Sequence, residues 1–238
     1  MSKDVYDGSW NWDRIYRECH GAFGVSQEVH QVLGRGRERV VFAGFAAVAA
    51  SLAETRPLKF VDRSEDVISA ARSSYAKLTT FATDDVLNHL LLDDAPHVVI
   101  SGRLSAFWDD QEYFERLQKA ILTYPRSCVV VDFFDAKATQ TSQVFSFGSP
   151  PASGVWRTQN VRRRFTTWGP KIHRVKQEVS YVLDQNIFEY QVERSYFRAA
   201  DVLSWAEKCF LSYTAEIARP LILEDPSFTL VLRPRRRR

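Results

Sequence analysis

The sequence predicts an α/β fold whose largely parallel, doubly wound sheet carries a ligand at its carboxyl edge. Three observations point there. Five short apolar runs alternate with helical stretches between residues 39 and 133, and repeated strand–helix units of this length build parallel sheets. The first run ends in a small-residue turn at Gly44, and a carboxylate, Asp62, closes the second run 18 residues later. After the fifth run the rhythm changes to long alternating stretches, which read as an antiparallel β insertion.

Residues 1–35 are aromatic and polar, and Ile15, Cys19 and Phe23 are spaced for a short helix, so this segment reads as an N-terminal helical lid. Residues 36–238 then form a single α/β domain. Arg39–Ala43 is a buried strand, and the alanine-rich Ala46–Ala53 is a helix. Leu58–Asp62 is the second strand. Ser64 caps the next helix, with Glu65 and Asp66 at its positive end. Leu78–Ala82 is the third strand, with a helix near 85–92, and His97–Ser101 is the fourth. Asp109 and Glu112 form a capping box for a helix whose buried face is Tyr113, Leu117, Ala120 and Ile121, and Ser127–Phe133 is the fifth strand.

Residues 136–197 hold a loop and the antiparallel insertion. The loop, 136–158, is rich in Ser, Thr, Gly and Pro. Arg162–Thr167, His173–Leu183 and Ile187–Ser195 are strands, the last two joined by a turn at Asp184-Gln185-Asn186. Ala199–Phe210 is a helix with Val202, Leu203, Ala206 and Phe210 inward, and Ser212–Ala218 and Phe228–Leu232 close the sheet.

Composition narrows the function classes. The 238 residues are 45% apolar and 26% charged, enough to bury a core without a metal or disulfide staple. Cys19, Cys128 and Cys209 are odd in number and far apart, which suits reduced thiols and a cytoplasmic protein. The five histidines, His20, His30, His89, His97 and His173, lack ligand spacing, so no metal is expected. No signal core or membrane-length apolar run is present. The net charge of +3 is a property of the tail, residues 233–238. Without its five arginines, 27 basic side chains face 29 acidic ones, and nucleic acid is not an expected partner. Aromatic N-terminal segments can also mediate dimers, so a homodimer is one expectation.

The chemistry concentrates at the strand ends. A nucleotide-binding turn needs small residues where backbone approaches ligand. Gly44 and Ala46 fit and Val48 does not; a simple tight strand–helix turn explains the same residues. A carboxylate at Asp62 can accept both ribose hydroxyls of a nucleoside, or simply initiate the next helix, a role that Ser64 already fills. Thr83-Asp84-Asp85-Val86 follows the third strand, where a carboxylate and a neighbouring amide can read an adenine or simply cap the next helix.

Together these residues resemble the class I S-adenosylmethionine-dependent methyltransferases, with their Rossmann-like fold. The resemblance implies S-adenosylmethionine as cofactor, with no metal. It sets Ala43, Gly44 and Phe45 against the amino-acid end, Asp62 and Arg63 at the ribose, and Asp85 and Val86 at the adenine. Ser101, Gly102 and Arg103 would lie between cofactor and substrate. The antiparallel excursion ending at Phe197, followed by a helix and two last strands, is similar to small-molecule members of that family. Two departures concern the amino-acid end. Phe42 stands where the family carries an acidic residue, and Ala46 and Val48 replace two motif glycines.

Aromatic faces stabilise a sulfonium. Phe133 and Phe134 end the fifth strand, and Tyr6, Trp10 and Tyr16 sit in the lid, so these form an expected aromatic wall, with His173 also toward substrate. Expected proton acceptors are Asp135, His173, Tyr181 and Asp201. Methyl transfer to a small metabolite is the leading expectation. An enzyme resembling the azetidine-2-carboxylate synthases is the alternative. It would close the cofactor on itself and release methylthioadenosine, with Phe134 walling the sulfonium and Asp201 or Ser204 orienting the amine. A non-catalytic S-adenosylmethionine-binding protein is the third reading.

Overall fold

The computed structural model describes residues 27–34, 36–101, 104–137, 143–147, 152–164, 169–183, 186–221 and 227–235. Its elements run α1 (Gln27–Leu33), β1 (Val40–Ala43), α2 (Ala46–Ala53), β2 (Leu58–Asp62), α3 (Glu65–Ser74), β3 (Thr80–Thr83), α4 (Val86–His89) and β4 (His97–Ile100). A 3₁₀ turn (Leu104–Phe107), α5 (Gln111–Thr123) and β5 (Cys128–Phe134) follow. The insertion is β6 (Gln143–Phe147), β7 (Ala152–Arg164), β8 (Ile172–Leu183) and β9 (Asn186–Tyr196), and α6 (Ala199–Cys209), β10 (Tyr213–Ala218) and β11 (Ser227–Pro234) close the chain.

Seven strands form one sheet in the order β3-β2-β1-β4-β5-β11-β10. The first five are parallel, and β11 inserts antiparallel between β5 and β10. The order reverses between β1 and β4, which opens a crevice at their carboxyl ends. β1, β4 and β5 are buried at every position, as strands covered on both faces must be. Val41, Ala43, Val98, Ile100, Val129 and Val131 face a core shared with α4, α5 and α6. Val40, Phe42, Phe60, Val99 and Val130 face the other, with α1, α2 and α3. On the first side Arg126, fully buried, donates to the Ala95 and Leu90 carbonyls and clamps the loops below β4.

Four sequence expectations change. Within 136–158, residues 143–147 and 152–158 are strand, because β6 and the start of β7 pair, with Phe145 opposite Gly154, while 138–142 and 148–151 lie outside the described residues. Cross-strand pairing overrides the low strand propensity of Ala152-Ser153-Gly154. β3 begins at Thr80, and Leu78 is buried in the preceding connection. Asp110, not Asp109, caps α5, and Asp109 instead turns toward Arg174, 3.6 Å away. On α6 the inward residue is Trp205, and Leu203 is only half-buried. β8 and β9 pair antiparallel with Leu183 opposite Asn186, which is already strand, and Asp184 and Gln185 of the expected turn lie outside the described residues.

The insertion is a four-stranded antiparallel sheet, β6-β7-β8-β9. Its root is tied to the main sheet where Phe197 donates its amide to Phe134 O at 2.9 Å and Ala136 donates to Phe197 O at 2.8 Å. Among the described residues no helix is long and apolar enough to cross a membrane.

Candidate functional site

The carboxyl edge of β1, β2 and β3 holds three of the expected groups in sequence. Gly44 follows β1 with φ +141°, a backbone state that L-residues rarely adopt. A Cβ there would also lie 2.8 Å from the Ser101 carbonyl carbon. The turn is therefore a glycine site for two independent reasons. Ser101, just past β4, donates its amide to Ala43 O at 2.8 Å and so extends the β1–β4 ladder by one bond.

Asp62 ends β2. Its Oδ1 accepts the Ser64 amide at 2.8 Å, while Ser64 caps α3 through Val67 N. Its own carbonyl accepts the Asp84 amide at 3.0 Å, which joins the ends of β2 and β3. Burial pushes the Asp62 carboxyl up to about 6, against the opposing pull of the Ser64 amide and the Arg63 charge. Arg63 itself is exposed.

Asp85 is held more rigidly than a solvated carboxylate. It is the N-cap of α4, with Oδ1 accepting from Leu87 N and Asn88 N. The Arg116 guanidinium of α5 binds the same oxygen at 2.6 Å. Oδ2 takes no hydrogen bond among the described residues, and the side chain is 38% exposed. Capping and ligand reading are thus compatible. Val86 is buried as the first residue of α4.

The departures in the first motif have packing reasons. Phe42 is fully buried and stacks on Phe60 at 6.4 Å in the α1–α3 core. Ala46 and Val48 lie on the buried face of α2, beside Phe45, in that same core. A carboxylate at position 42 would be desolvated there.

At the end of β5, adjacent phenylalanines point opposite ways. Phe133 is fully buried among Trp108, Phe197 and Phe228. It is core, and its expected place in a substrate wall is corrected, because strand alternation turns it under the sheet edge. Phe134 instead stacks on Tyr196 at 4.8 Å, with the Arg194 guanidinium 5.6 Å from its ring centre. The β8–β9 register sets His173 opposite Tyr196 and Val175 opposite Arg194, so these four share one face of the insertion, and all are buried. On the opposite face Arg174 donates to Ser195 Oγ at 3.1 Å and to Glu193 Oε2 at 3.0 Å.

Of the remaining candidates, Ser204 is exposed on α6. Asp201 is half-buried in the first turn of that helix, with Oδ2 buried and unpartnered. Tyr181 occupies a backbone position on β8 opposite Gly154 and Phe188, near the far end of the insertion from His173. Asp135 caps the turn after β5 through Lys137 N. Tyr6, Trp10, Tyr16, Gly102 and Arg103 lie outside the described residues. Among the described residues no group of three or more His, Cys, Asp or Glu could hold a metal.

Arg116, Asp132, Arg194 and Tyr196 join the site without having been expected from the sequence. Asp132 alone had a visible signal, a charge inside the apolar run Val129–Phe134. The other three are defined by contacts between distant segments.

No family model matches the sequence, and no curated protein matches it either. Solved structures do. A S-adenosylmethionine-dependent methyltransferase from Clostridium acetobutylicum superposes with TM-score 0.69 at 12% identity, covering 94% of this chain and 97% of that one. The sugar N-methyltransferase KedS8 from Streptoalloteichus gives 0.68 at 16% identity, covering 99% and 98%. The amino pentose methyltransferase CalS10 from Micromonospora echinaspora, solved with S-adenosylmethionine bound, gives 0.65 at 11%, covering 99% and 100%. At these identities the shared property is the fold.

Proposed function

We propose that this chain, which has the class I methyltransferase fold, binds S-adenosylmethionine and transfers its methyl group to a small metabolite. The observation that carries the reading is the placement of Gly44, Asp62 and Asp85 at the ends of three neighbouring strands beside the topological switch point. The residues fit the cofactor's chemistry. The glycine turn leaves room for the amino-acid arm. The Asp62 carboxylate accepts ribose hydroxyls, and Asp85 Oδ2 accepts an adenine amine proton while its other oxygen is held by the cap and Arg116. When bound, the cofactor supplies an electrophilic methyl on a sulfonium.

The acceptor side is the face made by Phe134, Tyr196, Arg194 and His173. Phe134 and Tyr196, each 2% exposed, back this face and exclude water from it. His173 is the proton acceptor as the acceptor atom gains its methyl. Two of the structural neighbours act on sugars by name, and amino sugars are the first acceptor class to test.

The test is incubation with S-adenosylmethionine, with and without amino sugars, followed by mass spectrometry. S-adenosylhomocysteine and methylated sugar, formed only together, are expected. Methylthioadenosine formed without an acceptor would overturn methyl transfer in favour of cyclisation. Absence of cofactor binding in calorimetry would overturn both.

A further inference from the structure

Asp132 is a carboxylate on an otherwise apolar strand, 2% exposed, at the level where β4 and β5 reach the carboxyl edge. Burying such a group is costly unless it is well partnered. Its two oxygens reach in opposite directions. Oδ2 accepts the Ser101 hydroxyl at 3.0 Å, and Oδ1 accepts the Thr229 hydroxyl of β11 at 2.8 Å. Its backbone carbonyl accepts the Ser105 hydroxyl of the 3₁₀ turn at 2.6 Å. One residue thus ties β4, β11 and the turn after β4.

Ser101 carries this order to the cofactor turn. The register pairs Ala43 with Ile100 and Ile100 with Val131, so Gly44, Ser101 and Asp132 are the next residues on three adjacent strands. Gly44 rests directly on Ser101, where a Cβ would stand 2.8 Å from its carbonyl carbon and 2.9 Å from its oxygen. Any shift of Ser101 moves the surface on which the turn lies. Asp62, in contrast, is fixed by Ser64 and the β2–β3 ends, outside this chain of contacts.

We infer that Asp132 is a positioning residue which, acting through Ser101, sets the Gly44 turn that receives the amino-acid arm of S-adenosylmethionine. The inference rests on the cofactor reading proposed above. Loss of Asp132 or of the Ser101 hydroxyl is felt by the amino-acid arm and not by the adenosine.

The test uses two ligands, S-adenosylhomocysteine, which has that arm, and methylthioadenosine, which lacks it. Each is titrated by calorimetry into wild type, Asp132→Asn, Ser101→Ala, the double variant and Thr229→Val. Asp132→Asn and Ser101→Ala should each weaken S-adenosylhomocysteine roughly tenfold, the scale of one hydrogen bond to a charged group. Methylthioadenosine should change less than about twofold, and the double variant should be no weaker than the worse single one, because the two act as a unit. Thr229→Val removes the Oδ1 partner of Asp132 and should likewise weaken S-adenosylhomocysteine more than methylthioadenosine. In backbone amide spectra of the ligand-free protein, the Gly44 resonance should move in Asp132→Asn and in Ser101→Ala. Equal losses for both ligands, additive losses, or an unmoved Gly44 resonance would overturn the inference. If wild type binds neither ligand, the cofactor reading fails, and the Gly44 resonance still decides the positioning role. Should Asp132→Asn not fold, Ser101→Ala carries the same test with the carboxylate in place.

Discussion

Phe134 stacks on Tyr196 with ring centres 4.8 Å apart and planes 21° from parallel, so the last residue of β5 and the last of β9 form one wall. Its neighbour Phe133 is buried on the other side among Trp108, Phe197 and Phe228. The two phenylalanines should therefore respond differently to substitution. Phe133→Ala should cost about 3–5 kcal/mol of stability by leaving a cavity, with the acceptor KM unchanged. Phe134→Leu keeps most of the bulk and should cost about 1 kcal/mol for the lost stack, while raising the acceptor KM. Urea denaturation and steady-state kinetics on both variants check this. An unchanged acceptor KM in Phe134→Leu would remove Phe134 from the substrate wall.

Asp62 couples stability to cofactor affinity through pH. Burial first, offset in part by the Ser64 amide and Arg63, raises its folded value from 3.8 to about 6. Between those values the folded protein holds a proton that the unfolded chain has lost. Stability therefore falls as pH rises from about 4 to about 6 and is flat above, for this group. Asp62→Asn should remove that slope and stabilise the ligand-free protein at pH 7 by about 2–3 kcal/mol, because each tenfold difference in proton affinity is worth roughly 1.4 kcal/mol. No gain is expected below pH 4. Thermal melts across pH measure it.

Cofactor binding should run the opposite way. Ribose hydroxyls donate to the ionised carboxylate, so affinity should drop as pH falls through about 6 in wild type. In Asp62→Asn the affinity should be lower by about 1–3 kcal/mol and lack that pH step. Calorimetric titrations at pH 5, 6 and 7.5 check it. A step of equal size in the variant would assign the pH dependence elsewhere.

Gly44→Ala meets both the strained φ and the Ser101 backbone. It should destabilise by at least about 2 kcal/mol and abolish binding of S-adenosylmethionine. Gly34 makes a control. It also has positive φ, +77°, but open space around the missing Cβ, so Gly34→Ala should cost about 1 kcal/mol and leave binding intact. Denaturation and calorimetry compare the pair.

Asp85 serves α4 and the proposed adenine site at once. Asp85→Ala removes a helix cap and the Arg116 pair, at a cost of about 1–2 kcal/mol in stability. It should also weaken adenosine-containing ligands, methylthioadenosine included. Arg116→Met should reproduce a smaller part of both effects, since the cap remains. Affinity unchanged in Asp85→Ala would reduce the residue to its capping role.

The sequence by itself determined the alternation of strands and helices, because fully buried parallel strands must be continuous apolar runs, as in Val40–Ala43 and His97–Ile100. It also located Gly44 and Asp62, since a turn and a carboxylate at strand ends follow from local order alone. Tertiary structure decided what depends on partners distant in sequence. Residues 143–147 and 152–158 became strands because they pair with each other and with β8. Phe133 and Phe134 parted because a strand sends neighbours to opposite faces, and only the packed sheet says which face is core. Asp85 gained Arg116 from 31 residues away, and Asp132 gained Thr229 from 97 away. No local pattern encodes such pairs, because their energy exists only once the chain has brought the strands together.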